Sequence, residues 1–148
     1  MNRGFTLTEV LIALAIILVL SAMTLPLLSN RPFSAQTDGA RAEMVQIIRL
    51  ARERSLAHFK NQAHGIKLLA DGYVLFQGSD YATRQVDYDL PIKLSKGLTL
   101  SWQLTGSGQA DEIDFFNYDA KPNRSGKIII SAGDTQSVIN LNQTGIIE

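Results

Sequence analysis

One carboxylate, Glu9, stands at the start of an otherwise apolar run that extends from Val10 to Leu20. An ionised Asp at the centre of a membrane-spanning helix costs about 2.5 to 3.5 kcal/mol on insertion scales, so an acid in such a segment is by default a functional residue with a partner. The first question that the sequence raises is therefore which group pairs with Glu9.

The apolar segment from residue 5 to 28 has Glu9 as its one ionisable group. A helix of this length reaches about 36 Å, which is enough to cross a hydrocarbon core of about 30 Å. A secretory signal peptide is the alternative, but it needs a basic head, a shorter apolar stretch and a small-x-small cleavage site. Arg3 is the only basic residue before the apolar run, and the end of the run around Pro26 offers no good cleavage site. Glu9 favours an uncleaved anchor, because a discarded signal gains nothing from a costly acid.

The string GFTLTE at residues 4–9, followed by a long apolar run, resembles the class III leader junction of type IV pilins and type II secretion pseudopilins. Pro26 also falls where many of these helices carry a proline. The resemblance implies that a prepilin peptidase cuts between Gly4 and Phe5 and methylates the new amino group of Phe5. Phe5 would then carry a membrane-embedded ammonium that Glu9 can neutralise.

By the same resemblance, the ammonium and Glu9 belong to different subunits, so that Glu9 sets the register as helices stack into a filament. The alternative is that Glu9 merely reaches the membrane surface as an interfacial side chain. The resemblance also implies three segments: a leader at 1–4, a transmembrane and assembly helix at 5–30, and a periplasmic domain at 31–148. We therefore expect a single-pass protein of the bacterial inner membrane, in contact with lipid, that later enters a filament.

The chain beyond the anchor fits one domain with one modest core. It contains no cysteine, so it has neither a disulfide framework nor a thiolate metal site. Lys plus Arg number 14 and Asp plus Glu number 14, and this balance gives no electrostatic reason to expect nucleic acid as a partner. Many major pilins close their C-terminal region with a disulfide. Because this chain has no cysteine to form one, the resemblance favours a pseudopilin or a minor pilin.

A second helix is predicted over residues 34–62, because apolar residues recur there at helical spacing. Residues 29–32 are predicted to interrupt the helical structure before this second helix. Pro26 is predicted to kink or locally loosen the first helix. The predicted buried stripe consists of Met44, Val45, Ile48, Ala51, Leu56 and Phe59. The polar residues Glu43, Gln46, Arg49, Glu53 and Lys60 lie largely opposite.

The rest of the chain reads as antiparallel β-structure. Residues 66–69 and 73–76 flank Asp71-Gly72, a pair that suits a two-residue type I′ hairpin turn. Further strands are predicted at 98–104, 113–116, 127–131 and 138–141, separated by turn residues. The predicted fold is therefore α+β, with a long N-terminal helix, formed by the membrane anchor and the amphipathic half, packed on an antiparallel β-sheet domain.

Two internal stretches, RLARERSL at 49–56 and GKIIIS at 126–131, resemble the H-type pseudopilins of type II secretion and the FimT/FimU minor pilins. Some FimT-like proteins end in a basic tail that contacts DNA. This chain ends in TGIIE, without Arg or Lys, which weakens the case for that activity.

Other candidate chemistry is sparse. Five acids could hold a hard cation such as calcium: Asp111, Glu112, Asp114, Asp119 and Asp134. Glu112 and Asp114 share one strand face, so a solvated acidic edge is the favoured interpretation. His58 and His64 lack spaced ligand partners and are expected to be exposed or loosely packed. The helix cations Arg49, Arg52, Arg54 and Lys60 could contact phosphates, but a solvated face or subunit contacts fit better.

Two functions follow from the residues and the resemblance together. The first is a minor pseudopilin, a structural subunit of the type II secretion pseudopilus that supports protein export. The alternative is a minor pilin of a type IV pilus that acts in priming, adhesion or DNA uptake. The expected partners are the prepilin peptidase, other pseudopilins or pilins and the inner-membrane assembly platform. Neither a cofactor, a small-molecule substrate nor an enzymatic activity is expected.

Overall fold

A computed structural model describes residues 6–28, 31–115 and 121–147 of the chain. Two α-helices precede a series of β-strands, with short 3-10 helices at Phe59–Asn61 and Val86–Tyr88. The helices are α1 (Leu7–Leu28) and α2 (Arg31–Leu56), and the strands are β1 (His64–Leu69), β2 (Gly72–Gln77), β3 (Leu90–Lys93), β4 (Thr99–Gly106), β5 (Glu112–Phe115), β6 (Arg124–Ala132) and β7 (Thr135–Leu141). This arrangement confirms the predicted α+β class.

The strands of the predicted antiparallel β-sheet domain form two antiparallel sheets. The first sheet has the order β3-β2-β1-β5, and the second has the order β4-β6-β7. Strand β3 was not predicted from the sequence. It is short, mostly exposed and contains Pro91, which a sheet tolerates at its edge because no partner strand needs the missing N–H group.

Helix α2 differs from its predicted range of 34–62 at both ends. It begins at Arg31, and Pro32 occupies its first turn, where a missing N–H group costs nothing. It ends at Leu56, six residues early, and His58 then adopts a left-handed backbone with a φ of 48°. A left-handed residue cannot continue a right-handed helix, so the chain turns there into β1.

The prediction of a buried stripe on α2 is confirmed in the centre of the helix and wrong at its C-terminal end. Met44, Ile48 and Ala51 are fully buried, at 0% exposure. Leu56 and Phe59 are 40% and 45% exposed. At the end of α2 the buried position is Ser55 rather than Leu56, and Phe59 lies beyond the left-handed residue His58, where the helix has ended. The centre of α2 packs on the inner faces of both sheets, in one cluster that includes Ile66, Leu75, Ile113, Phe115, Ile128, Ile130 and Ile139.

The predicted β1–β2 hairpin is present, but its turn is not the predicted one. Leu69 pairs with Gly72, so the two loop residues are Ala70 and Asp71, and neither they nor Gly72 have the positive φ that a type I′ turn requires. A Cβ atom at Gly72 would collide with the carbonyl oxygen of Ile92 on β3. The glycine therefore permits the close approach of β3 instead of shaping the turn.

Two interruptions were predicted in the N-terminal helical part. Helix α1 continues through Pro26 to Leu28, and the kink or loosening at Pro26 stays a prediction. Of the predicted break at 29–32, residues 29 and 30 lie outside the described residues. Arg31 and Pro32 already belong to α2.

The first sheet has an inner face toward the core and an outer face that a long connection covers. Lys67, Val74 and Glu112 are register neighbours on the outer face. The β2–β3 connection, residues 78–89, folds over this face. Its Tyr81 ring lies 5.5 Å from the ring of Phe76 in an edge-on contact, and Phe76 is fully buried as a result.

Candidate functional site

Glu9 occupies the first turn of α1, at the third helical position. Its backbone N–H group donates to the Thr6 hydroxyl at 3.3 Å and to the Thr6 carbonyl at 3.1 Å. Thr6 is therefore the N-cap of α1, and the spacing Thr6-x-x-Glu9 is that of a capping box. The predicted cleavage pair, Gly4 and Phe5, lies outside the described residues.

This capping arrangement gives Glu9 a second physical reason to stand where it does. The N-terminus of a helix carries a partial positive charge that stabilises a carboxylate in the first turn. The sequence itself carries this signal, because a threonine followed three residues later by a glutamate is the pattern of a helix N-terminus. The side chain of Glu9 is exposed, so it remains accessible to a group outside the chain.

The apolar side chains that follow Glu9 are exposed on the surface of α1. Every residue of α1 from 7 to 21 is exposed, including Leu7 at 79% and Leu18 at 70%. A continuous apolar surface of this kind marks a contact with another protein or with a membrane. No helix among the residues that the structure describes is both long and apolar enough to cross a membrane.

A second polar site lies on the outer face of the first sheet, beneath the β2–β3 connection. The Lys67 ammonium contacts the carboxylates of Asp111 at 2.8 Å and Glu112 at 3.1 Å. Burial alone would lower the pKa of Lys67, but its hydrogen bonds to the two acids raise it. The other oxygen of Glu112 accepts the backbone N–H of Tyr81 at 3.3 Å, and this bond ties the connection to the sheet.

Asp114, two residues further along β5, is 4% exposed and only partly satisfied. Its Oδ2 accepts a hydrogen bond from the Asn123 amide at 2.7 Å, whereas its Oδ1 has no hydrogen-bond partner among the described residues and lies beside Gly65. Burial, followed by the nearby charges of Glu112 and Asp80, raises the pKa of Asp114 from 3.8 to about 7. Asp114 therefore holds its proton in mildly acidic solution.

The expected solvated acidic edge is thus wrong for Glu112 and Asp114. Alternation does place both on one strand face, but the β2–β3 connection covers that face and buries them. Asp119 of the candidate cation set lies outside the described residues, and Asp134 is exposed in the β6–β7 turn. Within the described part of the chain, no group of three or more His, Asp or Glu residues is placed to hold a metal ion.

The two histidines occupy different environments. His58 is exposed, as expected, whereas His64 is 1% exposed, which overturns the expectation of loose packing. Burial, then the nearby charge of Arg54, lowers the pKa of His64 from 6.5 to about 4, so its ring is neutral at pH 7. Its two ring nitrogens have no hydrogen-bond partner in the part of the chain that the structure describes.

Ser55 and His64 are adjacent, but their contact is not that of a nucleophile and its base. The Ser55 hydroxyl accepts the backbone N–H of His64 at 2.8 Å and lies 3.4 Å from the His64 carbonyl, and the imidazole takes no part. An activated serine needs the ring nitrogen of a histidine at its hydroxyl. The serine therefore joins the end of α2 to the start of β1, and this is a structural role.

Two of the four cations that were predicted on the second helix pack on aromatic rings. These cation–π contacts were not predicted from the sequence. The Lys60 ammonium lies 3.3 Å from the centroid of the Tyr88 ring, and the Arg54 guanidinium lies 5.5 Å from that of Phe59. Arg49 is exposed and Arg52 is half-buried. The four cations are therefore not one uniform solvated face.

Two comparisons with known proteins find similarity. Residues 1–25 match the model of the prokaryotic N-terminal methylation motif. The fold is similar to that of the minor pseudopilin EpsH from the type 2 secretion system of Vibrio cholerae, with a TM-score of 0.57 and 14% sequence identity over 76% of this chain and 94% of that one. No curated protein sequence matches this chain significantly.

These findings confirm the resemblance to the type IV pilin-like superfamily in its N-terminal motif and in its fold. The motif covers the segment that holds Gly4, Phe5 and Glu9. The structural similarity extends over most of the chain and supports the arrangement of a helical N-terminal part packed on antiparallel sheets.

Proposed function

We propose that this chain is a minor pseudopilin, a structural subunit that enters the pseudopilus of a type II secretion system and supports protein export. The observation that carries the proposal is the contrast between the two helices. Helix α2 buries Met44, Ile48 and Ala51 in its own domain, whereas α1 exposes its apolar side chains between Leu7 and Leu20. The apolar surface of α1 needs a contact outside the chain, and assembly into a filament provides one.

The methylation motif supports the processing steps of this proposal. A prepilin peptidase cuts between Gly4 and Phe5, and the methylated ammonium of Phe5 pairs with Glu9 of a neighbouring subunit. The leader is then 1–4, the transmembrane and assembly helix 5–30, and the periplasmic domain 31–148. Before assembly the protein is anchored in the inner membrane, where it meets the assembly platform and its sibling subunits.

A minor pilin of a type IV pilus is the second candidate. It is supported by the same methylation motif and the same exposed helix. The similarity to a minor pseudopilin over 76% of the chain favours the first candidate. Deletion of the gene separates the two, since loss of protein export supports a pseudopilin, whereas loss of piliation or DNA uptake with normal export supports a minor pilin.

Substitution of Glu9 tests the assembly step. Glu9→Leu removes the carboxylate and lowers the insertion penalty, so we expect normal membrane insertion and cleavage but poor recovery in crosslinked complexes with sibling subunits. Glu9→Gln keeps the size of the side chain and is expected to fail in the same way, which separates charge from shape. Glu43→Leu, at an exposed acid of α2, is the matched control and is expected to assemble normally.

The quantity to compare is crosslinked yield divided by membrane abundance for each variant. Equal yields for the wild type and both Glu9 variants would show that the carboxylate takes no part in assembly. Glu9 would then serve only the N-terminal turn of α1, in which its backbone bonds to Thr6.

A further inference from the structure

The turn after α2 holds three non-glycine residues in the left-handed backbone region. The φ angles are 48° at His58, 54° at Lys60 and 56° at Asn61. Asparagine adopts this conformation readily, but histidine and lysine do so at a steric cost that comes from their Cβ atoms. Strained residues persist where the surrounding structure holds them, and they concentrate at functional positions. The turn is therefore a candidate for a functional role in addition to chain reversal.

The strained turn presents a ring and a cation to solvent. Phe59 is 45% exposed, and the adjacent Lys60 reaches across to the Tyr88 ring, which is 47% exposed. Arg54 lies over the Phe59 ring. The Lys60–Tyr88 contact thus joins the turn after α2 to the 3-10 helix at Val86–Tyr88, and the Arg54–Phe59 contact joins that turn to α2 itself.

Most of the large apolar side chains that are exposed outside α1 lie in or beside the turn after α2 and the 3-10 helix at Val86–Tyr88. Outside α1, nine large hydrophobic residues are exposed in the described part of the chain, and five of them flank or belong to these two segments. We name these five, together with the cations Arg54 and Lys60, the α2-end patch; its apolar members are Leu56, Phe59, Val86, Tyr88 and Leu90. Clustering of this kind marks an interaction surface, whereas single exposed residues do not.

The charge of the patch indicates the chemistry of its partner. Arg54 and Lys60 contribute two positive charges, and Asp87, which is exposed between Val86 and Tyr88, contributes one negative charge. A cation that rests on a ring still has N–H donors free for a carboxylate, because lysine has three and arginine five. Complementary charge steers and orients a partner on such a surface.

We propose that the α2-end patch docks a protein surface that presents carboxylates beside apolar side chains. This inference rests on the proposed function and names the partner as a neighbouring protein of the same assembly. The patch lies at the end of α2 opposite to the end that follows α1, and α2 spans 26 residues, or about 39 Å. The contact is therefore separate from the one that α1 and Glu9 make.

Photocrosslinking of the full chain in its host cell tests the docking. A benzophenone amino acid replaces Phe59, and the matched control places it at Val138, an exposed apolar position on β7. We expect one protein adduct at position 59, mapped to a segment that contains carboxylates, at a yield about tenfold above position 138. Lys60→Glu should remove that excess, and reversal of the mapped partner carboxylate to lysine should restore it.

A second variant separates docking from folding. Lys60→Gly removes the Cβ atom that makes the left-handed conformation costly, so it should raise the melting temperature and still reduce the adduct. The proposal is overturned by an adduct with nucleic acid, lipid or only a second copy of this chain, by no excess over position 138, or by full yield in Lys60→Glu and Lys60→Gly. Loss of assembly in Glu9→Leu, together with no adduct at position 59, refutes the docking alone. Normal assembly of Glu9→Leu refutes only the assembly role of Glu9, whereas normal protein export after deletion of the gene refutes the proposed function.

Discussion

His64 on β1 and Asp114 on β5 lie on adjacent strands of the first sheet, one on its inner face and one on its outer face, and burial shifts their pKa values in opposite directions. The pKa of His64 falls from 6.5 to about 4, and that of Asp114 rises from 3.8 to about 7. Both groups are therefore neutral in the folded chain between about pH 4 and 7.

The two groups give opposite slopes of stability with pH. The unfolded chain releases the Asp114 proton near pH 3.8 and the folded chain holds it to about pH 7, so the Asp114 contribution to stability falls as the pH rises through that window. The unfolded chain protonates His64 below pH 6.5 and the folded chain only near pH 4, so the His64 contribution falls as the pH drops through that window. The slopes oppose each other where the windows overlap.

Asp114→Asn tests the first slope. The amide keeps the shape and can still accept the hydrogen bond from Asn123, but it carries no charge at any pH. We expect a gain of about 2 to 4 kcal/mol at pH 8, where wild-type Asp114 is ionised and buried, and about 1 kcal/mol or less at pH 4.5, which is close to the pKa of the unfolded group. Urea unfolding at the two pH values gives the difference, and Asp134→Asn in the exposed β6–β7 turn is the control. A gain that is equal at both pH values contradicts the raised pKa.

His64→Leu tests the second slope and is best measured in the Asp114→Asn background, where the opposing slope is gone. With His64 present, stability should fall by up to about 3 kcal/mol between pH 6.5 and 4, because the unfolded chain gains a proton that the folded chain refuses. With leucine this loss should disappear. The unpaired ring nitrogens leave no hydrogen bond to break, so stability at pH 7 should hold or rise. An unchanged slope between pH 6.5 and 4 would assign it to other groups.

Ile48 and Phe59 separate the real core of α2 from the predicted one. Ile48 is 0% exposed and Phe59 is 45% exposed, although sequence periodicity places both on one stripe. Ile48→Ala should cost about 2 to 5 kcal/mol by leaving a cavity, and Phe59→Ala about 1 kcal/mol or less. Thermal unfolding of the two variants gives the comparison. Equal costs would mean that the turn after α2 packs against the core.

Much of the fold follows from local patterns. The centre of α2, the β1–β2 hairpin and strands β4 to β7 all carry helical or alternating apolar spacing, and each lies within a few residues of its predicted place. The end of α2 was missed because periodicity continues through Leu56 and Phe59, while the backbone at His58 reverses the chain. Strand β3 was missed because an exposed edge strand has no alternation to detect.

The buried acids show a different limit of the sequence. Alternation correctly puts Glu112 and Asp114 on one face of β5. Whether that face meets water depends on the β2–β3 connection, which is some thirty residues away in the chain and is held by the bond from Tyr81 to Glu112. An irregular segment has no periodic signal, so a contact between it and a distant strand is not readable from spacing. At Glu9, in contrast, the motif and the capping pattern are local, and both are present in the sequence.

Two glycines make a matched pair that tests the packing of the outer face. A Cβ atom at Gly65 would collide with the Asp114 carboxylate and the Phe76 ring, whereas a Cβ atom at Gly39, on α2, would meet nothing within 4 Å. Gly65→Ala should therefore cost about 1 to 3 kcal/mol through overpacking. Gly39→Ala should gain up to about 1 kcal/mol, because alanine loses less backbone entropy in a helix.

Thermal or urea unfolding at pH 5, where Asp114 is protonated, measures both variants under one condition. The double variant Gly65→Ala, Asp114→Ala then identifies the colliding group. If the carboxylate is the obstacle, the second substitution should recover part of the loss, and the two effects should be less than additive. If Gly65→Ala is as stable as the wild type, the β2–β3 connection does not press the outer-face side chains against β1, and the buried state of Asp114 loses its packing basis.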